Sequence, residues 1–141
     1  METKSGAHSI DHLGVAVKSL TEARKFYEKL GLAVSTEEVV EHEKVRVAMV
    51  PVGESRIELL EATSSDSVIA KFVEKRGEGL HHVAIHVPDL EAAVKNLKAD
   101  GARLMSEEIK VGAGGHHYMF VHPSSAGGVL VELVQEGSGK H

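Results

Sequence analysis

The sequence predicts an α+β protein built from two pseudo-symmetric copies of one βαβββ module, and three observations carry that prediction. Residues 12–31 lie without a gap over residues 82–101, with His12/His82, Val17/Val87, Leu20/Leu90, Ala23/Ala93, Lys25/Lys95 and Gly31/Gly101 in register. Each copy then reaches a short apolar strand holding one carboxylate, Arg56-Ile57-Glu58-Leu59-Leu60 in the first and Leu130-Val131-Glu132-Leu133-Val134 in the second. The interval from His to Glu is 46 residues in one copy and 50 in the other. A period of 70 residues in a chain of 141 is the size of a half-domain, not of a solenoid unit, so the expectation is one domain over 9–135.

The first module is expected over about 9–62. Ile10 to Val17 reads as a strand, with Ile10, His12, Gly14 and Ala16 on one face and Leu13, Val15 and Val17 on the other. Ser19 caps a helix, Glu22 completes a capping box, and Leu20, Ala23, Phe26, Tyr27 and Leu30 form its apolar stripe up to Gly31. Strands follow over Ala33–Val40, Val45–Val52 and Arg56–Glu61. After the polar break Thr63–Asp66, apolar residues at helical spacing (Val68, Ile69, Phe72, Val73) mark a connector helix within about 66–77, closed by Gly77-Glu78-Gly79.

The second module, about 80–135, repeats the order. Leu80–Val87 is a strand, Asp89 a cap at the place of Ser19, and Leu90–Asp100 a helix. Strands are expected near Ala102–Met105, His117–His122 and Val129–Gln135, with glycine loops at 112–115 and 123–128 before the last two. The ends, 1–8 and 136–141, are small and polar and are expected to be flexible.

Composition removes several classes of function. Without cysteine there is no disulfide, thiolate metal site or Cys nucleophile. No apolar run suits a signal peptide or a membrane span, so a cytoplasmic protein is expected. At net charge −5, with Lys and Arg interspersed among Glu, nucleic acid is not the expected partner.

His12, Glu58, His82 and Glu132 are the candidate metal ligands. A strand alternates faces, so each can leave its apolar neighbours and project to one side. A buried, unpartnered carboxylate costs several kcal/mol, so a Glu in an apolar strand calls for a metal, a cation or solvent. Half-solvated sheets place single Glu residues this way by default, but solvation does not require His and Glu at equivalent places in both halves. Nitrogen and oxygen donors without sulfur suit Co, Mn, Ni, Zn or Fe. Four protein ligands in an octahedral site leave two positions, enough for a substrate that chelates through two oxygens.

The other histidines read more plainly. His81 faces away from His82 and suits packing or a supporting hydrogen bond; His86 shares the His82 face. His116, His117 and His122 flank loops, while His8, His42 and His141 read as solvent residues.

Together, the segments Ile10-Asp-His12, Phe26-Tyr-Glu-Lys-Leu-Gly31, Ile57-Glu-Leu-Leu-Glu61, Gly77-Glu-Gly-Leu-His-His82, Gly112-Ala-Gly-Gly115 and His122-Pro-Ser-Ser-Ala-Gly-Gly128, with Val129-Leu-Val-Glu132, resemble the methylmalonyl-CoA epimerase family. That family lies in the vicinal oxygen chelate (glyoxalase/bleomycin resistance/dioxygenase) superfamily. The resemblance spans about Ile10 to Gln135. It implies a U-shaped mixed eight-stranded sheet around a metal site, usually in a homodimer, with His12, Glu58, His82 and Glu132 as ligands. It also implies a divalent ion, cobalt first, with Mn, Ni or Zn as others, and epimerisation of an acyl-CoA at carbon 2.

That chemistry removes a proton beside a thioester and returns it on the other face, which calls for two acid/base groups. Glu132 is the expected first. Some relatives carry a second Glu on the strand corresponding to 45–49, where this chain has none; Glu41 and Glu43 lie just before it and Glu58 is itself available, and Glu58 is taken as the candidate for the second group. Relatives often have Lys where Ser124 stands; Lys110, with Gly114 and Gly115, is the expected substitute contact to CoA phosphate. The alternatives are a glyoxalase I-like lyase acting on a glutathione hemithioacetal and a metal-free drug-binding protein. An extradiol dioxygenase fits less well, because Glu58 is a fourth candidate ligand.

Overall fold

In a computed structural model, residues 8–136 are described, and they fall into two compact units: His12–His81, and 8–11 together with 82–136. The tails expected to be flexible lie outside the described residues, apart from His8 and Glu136, both exposed.

The first unit holds β1 (Ser9–Ala16, its first residues grouping with the second unit), α1 (Leu20–Lys29), β2 (Glu38–Val40), β3 (Val45–Val52), β4 (Ser55–Ala62) and α2 (Val68–Arg76). Its strands order β2-β3-β4-β1, with β1 parallel to β4 and the other pairs antiparallel. Helix starts are set by side-chain caps: Ser19 accepts from the Glu22 N–H and Ser67 from the Ala70 N–H. The Glu22 carboxylate meets Lys25 at 3.3 Å. Leu20, Ala23 and Tyr27 of α1 pack with Val15, Val17, Ala48, Val50 and Leu59 on one face of the strands. On the other face Ile69, Phe72 and Val73 of α2 cover Ala16, Val45, Val47 and Leu60.

Two expectations for this unit change. Phe26 and Leu30, placed in the apolar stripe, are 60% and 61% exposed, so the buried stripe of α1 is narrower. The strand expected over Ala33–Val40 is confined to Glu38–Val40. Ser35 is the physical reason: its hydroxyl accepts from the Met49 N–H at 2.8 Å and its own N–H donates to the Met49 carbonyl. A side chain takes the ladder's place there.

The second unit holds β5 (Gly79–His86, from His82 on), α3 (Leu90–Ala99), β6 (Lys110–Val111), β7 (His117–Val121) and β8 (Val131–Gln135). Its strands order β5-β8-β7-β6, with β5 parallel to β8 and the remainder antiparallel. Asp89 caps α3, and Leu90 and Val94 pack with Val87, Met119, Val121 and Leu133 on one face of the strands. The strand expected near Ala102–Met105 is absent; Leu104 forms one isolated bridge to Val121, and the outer strand is Lys110–Val111. These two segments share the free edge of a five-residue β7, which leaves neither room for a long ladder.

Candidate functional site

Parallel pairing brings each His to its Glu. In the first unit, β1 runs beside β4 with Gly14 opposite Glu58, and His12 lies two residues upstream on the same face. His12 Nε2 stands 3.2 Å from Glu58 Oε1, with the histidine buried and the glutamate 14% exposed. In the second unit, Ala84 lies opposite Glu132, and His82 Nε2 stands 3.0 Å from Glu132 Oε1, both buried. Glu132 is therefore not an ordinary solvent-facing residue, and the two pairs are alike in distance.

The distance within each pair is compatible with two neighbouring donors to an ion. Donor atoms about 2.1 Å from a metal and at right angles to each other stand about 3.0 Å apart, whereas tetrahedral corners stand about 3.4 Å apart. Separations of 3.0 and 3.2 Å lie within this range and are also those of an imidazole–carboxylate hydrogen bond; the donors are imidazole nitrogen and carboxylate oxygen.

The residues across the strands differ between the pairs. Glu58 lies between Gly14 and Met49, and Glu132 between Ala84 and Phe120. Phe120 also meets the His82 ring edge to face, with centroids 5.3 Å apart and planes at 87°. Sequence reading passed over Phe120, whose role becomes visible only when the register of β7 on β8 is known. It also passed over Glu61 and Gln135, which follow the two candidate glutamates by three residues and accept from the first N–H of α1 and α3.

Lys110 pairs with Tyr118 across β6 and β7, a position whose side chain shares the face of Phe120 and Glu132. It is exposed, as are Gly114 and Gly115 in the turn that follows, both with positive φ (73° and 81°). His81 packs edge-on against Phe72 of α2 at 5.0 Å, the packing role read for it. His122 caps the turn Pro123–Ser125 by accepting from the Ser124 N–H. His86 is half-buried on the His82 face, and His42 is exposed beside Glu43.

Comparison with known proteins gives concordant results. Residues 11–120 match the model of the glyoxalase/bleomycin resistance protein/dioxygenase superfamily. The mitochondrial methylmalonyl-CoA epimerase of Bos taurus is 44% identical over 128 residues, covering 89% of this chain and 73% of its own. The crystal structure of methylmalonyl-CoA epimerase from Mycobacterium tuberculosis superposes with a TM-score of 0.89 at 36% identity, over 97% of this chain and 93% of that one. A methylmalonyl-CoA epimerase in complex with methylmalonyl-CoA and ammonium superposes with a TM-score of 0.88 at 35% identity, over 94% and 97% of the two chains. With its two βαβββ modules and a His–Glu pair in each, the chain belongs to the methylmalonyl-CoA epimerase family of this superfamily.

Proposed function

We propose that this protein interconverts the epimers of methylmalonyl-CoA at carbon 2, and that His12, Glu58, His82 and Glu132 hold one divalent ion at the centre of the reaction. The observation that carries the reading is the repeated pair: two His–Glu contacts at 3.2 and 3.0 Å, largely withdrawn from water, on equivalent strands. Among the candidates, cobalt is the ion proposed, with Mn, Ni and Zn as substitutes.

When bound, the ion acts as a Lewis acid toward the thioester oxygen, where negative charge develops as the carbon acid ionises. The chain's own residues move the proton. The C2–H bond breaks as one carboxylate oxygen, that of Glu132 in our assignment, takes the proton. Glu58, starting as the neutral carboxylic acid, gives its proton to the opposite face of the planar carbanion and is left as the carboxylate while Glu132 is left protonated; the pair exchange roles in the reverse direction. The strand β3 supplies Val45, Val47 and Met49 to the Glu58 face and no acid, which supports Glu58 in that role over an acid on β3.

Lys110, Gly114 and Gly115 are assigned to the phosphate end of CoA, the lysine by charge and the glycines by close backbone approach. A single domain over 9–135 and a cytoplasmic homodimer complete the proposal; sizing by light scattering checks the dimer.

The deciding experiment removes divalent metals, restores them singly, and follows deuterium entry from D2O at carbon 2 by NMR, with Glu132→Gln alongside. Metal-dependent exchange and epimerisation, lost in the variant, is the expected result. Metal binding without exchange would overturn the substrate and point to glutathione hemithioacetals. Absence of metal binding would overturn the four-ligand site and favour a metal-free binding protein.

A further inference from the structure

The two candidate pairs are alike in distance and unlike in surroundings. On the second, a backbone contact and two aromatic contacts run in series. The glycine loop presses on Tyr118 so closely that a Cβ at Gly112 would stand 3.0 and 3.1 Å from the ring's Cε1 and Cδ1. Tyr118 is buried and meets Phe120 edge to face, with centroids 5.8 Å apart and planes at 80°. Phe120 in turn meets His82 at 5.3 Å and 87°. On the first pair the place opposite the glutamate holds Met49, an unbranched and conformationally soft side chain.

We propose that Phe120 is a positioning residue that fixes the imidazole plane of His82. Edge-to-face aromatic pairs favour one mutual orientation, and Phe120 itself meets the Tyr118 ring, which the Gly112 backbone approaches closely. Rotation of the His82 ring about its Cβ–Cγ bond would swing Nε2 away from Glu132 Oε1, and the Phe120 ring resists that rotation. The His82–Glu132 pair is then preorganised as a pair of donors. This inference rests on the metal site proposed above.

The test uses Phe120→Leu, with Phe120→Tyr as the conservative replacement. Phe72→Leu is the control, because it removes an equivalent edge-on aromatic from His81, which is not among the candidate ligands. Cobalt affinity of the metal-free protein is measured by calorimetry and by the d–d absorption of the bound ion. Loss of a group supporting a ligand typically weakens metal binding 10–100-fold, so roughly a tenfold loss is expected for Phe120→Leu, recovery in Phe120→Tyr, and no change in Phe72→Leu.

The second readout needs no metal. Long-range 15N–1H spectra of the metal-free protein should show one sharp set of His82 ring signals, broadened or doubled in Phe120→Leu. A folded Phe120→Leu protein with undiminished cobalt affinity and a single sharp His82 ring would overturn the inference. If even the unaltered protein binds no cobalt, the ion site falls, and the His82 spectra alone decide whether Phe120 holds the ring.

Discussion

Gln135 turns its side-chain oxygen to the backbone N–H of Leu90, 2.7 Å away, and so ties the end of the strand bearing Glu132 to the first turn of the helix that follows His82. Glu61 makes the corresponding contact to Leu20 at 3.3 Å in the first unit. A helix N-terminus leaves its first N–H groups without intrahelical partners, so each contact satisfies one of them. Gln135→Ala should cost about 1 kcal/mol of stability, the usual cost of a lost helix cap, and Gln135→Glu should retain most of it because the helix dipole favours an anion there. Urea unfolding checks this, and an unchanged midpoint for Gln135→Ala would refute it.

Removal of the ion should lower stability as well as activity. A ligand at 100 times its dissociation constant adds about 2.7 kcal/mol to the folded state. Thermal unfolding with chelator and with cobalt should differ accordingly, and His12→Ala and His82→Ala should each abolish most of the difference. A cobalt-induced shift that survives in both variants would place the ion elsewhere.

The two kinds of apolar residue near α1 separate sharply. Leu59 is wholly buried against that helix, and Leu59→Ala should cost about 2–5 kcal/mol. Phe26 is on the helix but 60% exposed, and Phe26→Ala in the monomeric state should stay within about 0.5 kcal/mol. Chemical denaturation of both variants gives the comparison.

Gly112 and Gly53 should resist alanine for different reasons. At Gly112 the backbone is extended (φ −115°), and the obstacle is the Tyr118 ring, so Gly112→Ala should displace that ring at about 1–3 kcal/mol, visible in near-ultraviolet circular dichroism. At Gly53 nothing lies near, but φ is +61°, so the cost of about 1 kcal/mol comes from the backbone alone and leaves the aromatic spectrum unchanged.

Asp66 should titrate below its usual range. Hydrogen bonding from Lys44 Nζ at 2.5 Å is the largest cause and that from Ser64 the next, lowering its pKa to about 2. A folded-state value below the unfolded one means that the contribution to stability is present above about pH 4 and is lost as pH falls toward 2. Carboxyl NMR should place the midpoint near 2 and show it rise in Lys44→Met; an unmoved midpoint would remove Lys44 as the cause.

Much of the fold was legible because its punctuation is local. Ser19 and Asp89 are helix caps, and Gly31, Gly77 and Gly101 close helices with positive φ. The His12–Glu58 and His82–Glu132 pairings were legible because a repeat exposes residues that surface chemistry would not duplicate. What failed depends on partners distant in sequence. Leu104 and Met105 look like strand residues, but only the limited edge of β7 decides how many of them pair. Ser35 ends a ladder through a hydroxyl whose partner lies on β3. Phe120 is set opposite Glu132 by register, which no local signal states.

Parallel neighbours are necessarily far apart along the chain, and both His–Glu contacts inherit that separation. An ion gripping His12 and Glu58 ties off a loop of 46 residues, and one gripping His82 and Glu132 a loop of 50. Closure entropy grows only as the logarithm of loop length, so the two loops differ by less than about 0.1 kcal/mol. As cross-links the two halves of the site are therefore equal in their effect on the unfolded chain. What the native fold adds at the second pair is the Phe120 ring set edge to face against His82.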